Sequence, residues 1–110
     1  MSFQEITDSQ FEQELTSDQP VLAYFWAQWC GPCRLMSPAI ASLDQDYPNH
    51  FKILKLAVDD NPKTVQQYKI EGVPAIRLFQ EGKLVLSHEG AIPKLKLLEL
   101  LKDYLPETAS

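Results

Sequence analysis

Val21 to Ala27 (VLAYFWA) is an apolar run with neither charge nor alternation. A strand with one wet face alternates apolar and polar side chains, so this run is predicted as a central strand buried on both faces. A membrane span does not compete here. The uncharged apolar-rich stretch reaches only from Pro20 to Pro32, well below the ~20 residues that a span requires.

The surrounding segments follow in short order. Phe3 to Ile6 reads as a first strand. Thr7 or Asp8 caps the helix after it, with Gln10 in capping-box position behind Thr7, and Phe11 and Leu15 share its buried face. A longer helix is expected from near Cys33 to about Tyr47, with Leu35, Met36, Ile40 and Leu43 facing inward. Pro38 should kink it, because proline lacks the N–H that the ladder needs. Phe51 to Val58 (FKILKLAV) is another strand, and Asn61-Pro62 starts a short helix. Ala75 to Gln80 and Lys83 to His88 are strands separated only by Glu81-Gly82, a hairpin signal. Pro93 opens a last helix with Leu95, Leu98, Leu101 and Leu105 as its apolar stripe.

The order β-α-β-α-β-α-β-β-α predicts an α/β fold: a three-layer α/β/α sandwich around a mixed sheet of about five strands, with four helices. Strands joined through helices are expected to be parallel, and the final hairpin antiparallel. Chemistry in such sheets gathers at the carboxyl ends of the parallel strands.

The 110 residues fit one domain, 1–110, and the 45% apolar content is enough for its core. A net charge of -5 argues against nucleic acid, whose phosphates call for clustered Lys and Arg. Met1 to Gln13 is acidic and polar rather than basic and then apolar, so a chain starting at its natural Met1 is expected to stay in the cytoplasm. A stroma or matrix is the alternative if a presequence has been removed.

A reducing compartment makes the two cysteines, Cys30 and Cys33, better candidates for a redox pair or a metal site than for a staple. Zinc needs about four ligands. The chain adds only His50, expected in a loop, and His88, expected exposed at a strand end, so no metal site is expected. An inert pair of core thiols is the other plain alternative. Between an apolar strand and a helix, however, a CxxC is a strong redox signal. Cys30 would sit just ahead of the helix, where unpaired N–H groups and the helix dipole favour a thiolate. Cys33, one turn inside, would be more buried. Cys30 is therefore the expected nucleophile and Cys33 the resolving thiol. Pro32 fixes φ at the helix start, and Gly31 leaves the approach to Cys30 open.

The run Phe25-Trp26-Ala27-Gln28-Trp29-Cys30-Gly31-Pro32-Cys33-Arg34 closely resembles the active-site signature of thioredoxins. Pro38, Asp59-Asp60-Asn61-Pro62, Gly72-Val73-Pro74, Gly82 and Gly90 match further family positions, and the likeness covers about residues 3 to 105. The resemblance implies a thiol–disulfide oxidoreductase that reduces protein disulfides and is itself reduced by an external enzyme such as thioredoxin reductase. It implies no cofactor beyond a redox-active Cys30–Cys33 disulfide, and a monomer is the simplest expectation. Gly-Pro between the cysteines is similar to the reducing members. The resemblance also implies a cis peptide at Val73-Pro74, where the residues alone favour an ordinary trans proline. Trp29, Gly72, Val73, Pro74, Gly90 and Ala91 would then form a shallow groove that takes an extended substrate strand. Trp26 is expected mostly buried and Trp29 at the surface, although both could be core residues.

One departure bears on activity. Thioredoxins usually carry a buried Asp two positions before the signature Trp, and this chain has Tyr24. A phenol titrates near pH 10 and cannot take a proton from Cys33 as a carboxylate does. Slower resolution is expected, together with no loss of stability, because no unpaired carboxylate has to be desolvated. Lys55, the basic neighbour of that Asp in the family, is expected to turn to solvent or to a nearby acid. Tyr24 as a tolerated core substitution without functional meaning stays open. So does a scaffold that keeps the groove and turns over slowly. No basic pattern suggests a glutathione-linked exchanger. Gln28 and Ala75, the two smaller departures, read as surface tuning.

Overall fold

The apolar run forms strand β2 (Val21–Trp26), hydrogen-bonded on both edges, to β3 (Lys52–Ala57) and to β4 (Ala75–Gln80). The computed structural model describes residues 3–106. Its five-stranded sheet has the order β1-β3-β2-β4-β5, with β1 at Phe3–Glu5 and β5 at Lys83–Glu89. Helices α1 (Asp8–Glu14) and α3 (Pro62–Gln67) lie on one face, and α2 (Gly31–Asp46) and α4 (Lys94–Leu100) on the other. This is the expected mixed α/β sandwich.

Alternation along β2 divides its side chains between the two layers. Val21, Ala23 and Phe25 pack with Phe11, Leu15 and Val65 on the α1/α3 side. Leu22 and Tyr24 pack with Met36, Ile40, Leu43, Leu97 and Leu101 on the α2/α4 side.

One expected strand direction is wrong. β1, β3 and β2 are parallel, but β4 runs antiparallel to β2 although a helix precedes it. The reason is length. The six residues of α3 rise about 9 Å, whereas a six-residue strand covers about 20 Å. The chain cannot return to the far edge, so β4 starts where β3 ended, with Ala75 opposite Phe25.

Two leucine assignments also fail. Leu35 and Leu95 are 78% and 81% exposed. Successive helical residues turn by about 100°, so Leu35 cannot share a face with Met36. In α4 the inward positions are Leu97 and Leu101, with Leu98 and Leu105 partly buried beside them. α2 starts at Gly31, two residues earlier than expected, and continues through Pro38. His88 is half-buried rather than exposed, because its strand position faces α4 beside Leu86. His50 is the loop residue expected and bonds the Tyr104 carbonyl oxygen at 2.6 Å. Ala75 is fully buried, not a surface position, since its strand is internal to the sheet; Gln28 is exposed.

Helix ends are closed by tertiary partners. Thr7 caps α1, and its N–H donates to Gln10 Oε1 at 3.0 Å. Asp8, free of that duty, caps α3 instead: it accepts from the N–H groups of Lys63 (3.1 Å) and Thr64 (3.0 Å) and from the Thr64 hydroxyl. The other end of α3 is held by Arg77, buried in β4, whose guanidinium donates to the carbonyl groups of Tyr68 and Lys69 and pairs with Glu89 at 3.0 Å. The β4–β5 turn places both Glu81 (φ 52°) and Gly82 (φ 79°) in the left-handed region, as a two-residue type I′ hairpin requires.

Two stability predictions follow from these contacts. Burial alone would raise the Asp8 pKa, but the hydrogen bonds from Thr64 and Lys63, with the Lys63 charge, hold it below the ordinary carboxylate value. Asp8→Ala should cost about 1–2 kcal/mol in urea unfolding at pH 7, the range for a lost cap. A lowered pKa stabilises above the unfolded-state value and stops doing so as pH falls through the folded one. The difference between wild type and Asp8→Ala should therefore shrink below about pH 4, and a constant difference would assign the effect to something other than the carboxylate. In the hairpin, Glu81→Asn should raise stability by about 0.5–1 kcal/mol, because Asn tolerates the left-handed region better; no gain in urea midpoint would contradict it.

Candidate active site

The site lies where β2 ends and α2 begins. Cys30 is the N-cap of α2, in extended conformation (φ -89°, ψ 107°), and its N–H donates to the Ala27 carbonyl at 3.1 Å. Pro32 is in the first turn, where its missing N–H has no ladder partner to lose. Cys30 and Cys33 form a disulfide with Cα atoms 5.4 Å apart, and the Cys33 N–H donates to Cys30 Sγ at 3.2 Å. The two sulfurs are therefore not equivalent. Cys30 receives the helix terminus; Cys33 lies inside the helix. Both are buried in the disulfide form, Cys30 at 4% and Cys33 at 2% exposure. A Cβ built on Gly31 would meet nothing within 4 Å, so the approach over that residue is open.

The antiparallel start of β4 brings the segment Gly72-Val73-Pro74 to the same end of the sheet. The Val73-Pro74 peptide is cis. Val73 packs against the cluster of Ala27, Cys30 and Cys33. The Pro74 carbonyl accepts from the Gly90 N–H at 2.8 Å, and Gly90 has φ 107°, a conformation that excludes most side chains. Gly72, Gly90 and Ala91 are exposed, and Val73 is half-buried. Trp29 is 68% exposed, as expected at the surface, while Trp26 is only partly covered. Of the six expected groove residues, Val73 is joined to the cysteine cluster and Pro74 to Gly90, and Trp29 stands exposed in the loop just before Cys30. Sequence reasoning missed the partner of that indole: Asp59 Oδ2 accepts from Trp29 Nε1 at 2.8 Å. Nothing local in the sequence connects residues thirty positions apart.

Tyr24 is wholly buried on the α2 side of β2. Its hydroxyl donates to the Cys33 carbonyl oxygen at 3.1 Å and lies 2.9 Å from Ser37 Oγ. A phenol has one proton, so Ser37 is the donor in the second contact. Burial pushes the Tyr24 pKa above its ordinary value, against a smaller lowering by Ser37. This group stays protonated at neutral pH and grips the backbone of Cys33.

Lys55, expected to turn to solvent or to a nearby acid, is half-buried and also reaches an aromatic ring. It stands beside Tyr24 in the parallel register, and its Nζ lies 4.5 Å from the centre of the Trp26 ring, a cation–π contact. Behind Cys33 a cleft of about 520 Å³ opens to solvent, lined by Trp26, Gln28, Cys33, Arg34, Ser37 and Lys55, with Ala27, Pro38 and Ala41 as its apolar wall. Among the described residues, no group of three or more His, Cys, Asp or Glu is placed to hold a metal, and no helix is long and apolar enough to cross a membrane.

Comparison with known proteins agrees with this geometry. The thioredoxin family model matches residues 2–103. The chain is 61% identical over 106 residues to thioredoxin-like protein slr1139 of Synechocystis sp., covering 96% of this chain and 97% of that one. It is 42% identical to thioredoxin 1 of Nostoc sp. (92% and 95% covered) and 40% identical to thioredoxin of Porphyra purpurea (96% and 99%). A family match over nearly the whole chain, with relatives at this identity, leaves a single assignment: the chain belongs to the thioredoxin family of thiol–disulfide oxidoreductases, which work through a redox-active disulfide and need no other cofactor.

Proposed function

We propose that the chain reduces protein disulfides by dithiol exchange. Cys30 thiolate attacks a substrate disulfide, one substrate sulfur leaves as a thiolate, and a mixed disulfide forms. Cys33 then attacks Cys30 Sγ, closing the intramolecular disulfide and releasing the second substrate thiol. An external reductase such as thioredoxin reductase would restore the dithiol, in a reducing compartment such as the cytoplasm, with the protein acting as a monomer. The observation that carries this reading is the Cys33 N–H aimed at Cys30 Sγ, on the sulfur that also faces the end of a sixteen-residue helix. That environment favours negative charge on Cys30 and leaves Cys33 for the second step.

The groove would hold the substrate as an added extended strand along Gly72-Val73-Pro74, with Trp29, Gly90 and Ala91 at its margins. Gly31 and Pro32 keep the approach open and pre-form the helix start. Tyr24 acts as a positioning residue: it holds the Cys33 carbonyl and cannot serve as a base. Lys55 sets a positive charge behind the resolving thiol. The second reading, a binding scaffold with slow turnover, draws on the same Tyr24 geometry, because a phenol stands beside Cys33 at the position of the family's usual carboxylate.

Dithiothreitol-driven reduction of a protein disulfide tests the two. Cys30→Ser should abolish turnover, and Cys33→Ser should accumulate a mixed disulfide detectable by mass. Equal inactivity of wild type and Cys30→Ser would remove the catalytic reading and leave the scaffold. Tyr24→Asp restores a carboxylate. It should raise the rate of resolution by about tenfold or more, within the range of general-base catalysis. The same variant should lose at least about 3 kcal/mol of stability at pH 7, through lost volume and a buried charge. A Tyr24→Asp protein as stable as wild type would contradict the packing argument.

A further inference from the structure

Arg77 is a charged side chain in the middle of a buried strand. Ala75, Ile76, Leu78 and Phe79 of β4 are all buried, and Arg77 is buried with them at 4% exposure. Its partners across the sheet, Ala23 in β2 and Ser87 in β5, are small. A well-packed apolar side chain at such a position typically serves stability as well as a buried ion pair does, because desolvating two charges offsets their attraction. Stability alone therefore does not account for an arginine here. Its partners suggest what does.

Those partners belong to the two segments that border the groove. On one side Nε and Nη2 donate to the Tyr68 carbonyl at 3.3 and 3.2 Å, and Nη2 donates to the Lys69 carbonyl at 3.2 Å. These carbonyls follow the last turn of α3, and Lys69 (φ 54°) turns the chain toward Gly72-Val73-Pro74. On the other side Nη2 donates to Glu89 Oε2 at 3.0 Å. Glu89 directly precedes Gly90, whose N–H closes on the Pro74 carbonyl at 2.8 Å. The other Glu89 oxygen lies 3.8 Å from where a Cβ on Gly72 would stand. Within its own strand Nη1 donates to the Ile76 carbonyl at 3.0 Å, which orients the fork. The Arg77–Glu89 pair thus joins the approach to Gly72 on one margin to Gly90 on the other.

We propose that Arg77 is the positioning residue of the substrate groove. By gripping the chain after α3 and Glu89 at once, it fixes the spacing between the segment Gly72-Val73-Pro74 and Gly90. That spacing sets how firmly an extended substrate strand is held. The inference rests on the groove reading given above and adds to it the residue that keeps the groove in shape. Arg77 itself touches no substrate. Only a planar fork reaches both carbonyl groups and the carboxylate together, so a lysine keeps the charge and loses part of the grip.

The test pairs amide hydrogen exchange at Gly90, followed by NMR, with steady-state reduction of insulin driven by dithiothreitol. Arg77→Met keeps the length of the side chain and removes its donors. It should speed exchange of the Gly90 amide by about fivefold or more, as local opening of the clasp to Pro74 requires. The KM for insulin should rise by about fivefold or more with kcat within about twofold, the pattern of lost binding rather than lost chemistry. Arg77→Lys should fall between wild type and Arg77→Met in both readouts. Glu89→Gln, at a side chain 35% exposed, cuts the ion pair without entering the core and should move both readouts the same way, even if Arg77→Met does not fold. Asp8→Ala, which loosens α3 from its opposite end, should leave both unchanged. Gly90 exchange that is unaltered in Glu89→Gln and Arg77→Lys overturns the proposal. Faster exchange with an unchanged KM does so too, since the groove would then loosen without consequence for binding. An equal change in Asp8→Ala assigns the effect to α3 as a whole and also overturns it. Wild type inert toward insulin is a different failure, that of the reductase reading, and Gly90 exchange still decides whether Arg77 holds the groove.

Discussion

Because β2 is buried on both faces and bonded on both edges, its register leaves no slack. A slip of one residue would exchange its two side-chain sets between the helix layers. Phe25 would meet α2, and Tyr24 would point towards α1 and α3, away from Cys33. Each large side chain fully buried here contributes about 1.5–3 kcal/mol. A shifted register that mismatched several of them would cost an amount comparable to the whole stability of a typical domain, about 5–15 kcal/mol. The precision of the cysteine loop is inherited from that packing, since the loop begins at the end of this strand.

At the loop itself, two electrostatic contributions favour charge on Cys30, and their sizes differ. A helix terminus typically contributes about 0.3–1 kcal/mol at an exposed site. A hydrogen bond to a charged group contributes about 1.5–3 kcal/mol. The directed Cys33 N–H therefore outweighs the diffuse helix field, and the geometry of one turn matters more than the length of α2. Tyr24 enters through that geometry. By bonding the Cys33 carbonyl it ties the same turn to the sheet from below, so the residue that removes a base also stiffens the turn that holds the nucleophile.

Much of this was legible in the chain. The unbroken run VLAYFWA, the two residues between the last strands and the Cys30-Gly31-Pro32-Cys33 spacing each rest on local chemistry, and all three stand where expected. The failures share another origin. Apolar character alone turns Leu35 and Leu95 inward, whereas rotation along a helix gives the inward positions to Met36 and Leu97. The direction of β4 depended on comparing the length of α3 with that of a strand. Asp8 looked like a cap for its own helix and closes another one fifty-six residues away at Thr64. Lys55 lies over the Trp26 ring, a contact that the spacing of the two residues does not announce. Partnerships across the sheet leave no trace in the spacing of either partner. The cis peptide was legible only through family likeness, since its residues alone favour trans.

The shortness of α3 has a consequence for how the family can vary. The stretch from Val58 to Pro74 works as a spacer that returns the chain to the end it left. Two more helical turns there would let the chain cross the sheet and enter β4 from the opposite edge. Pro74 would then stand roughly a strand length, about 20 Å, from the cysteines with every site residue still present. Insertions in the β4–β5 turn or after α4 carry no such penalty. Over evolutionary time, length in this spacer should be under tighter selection than the identity of most residues within it.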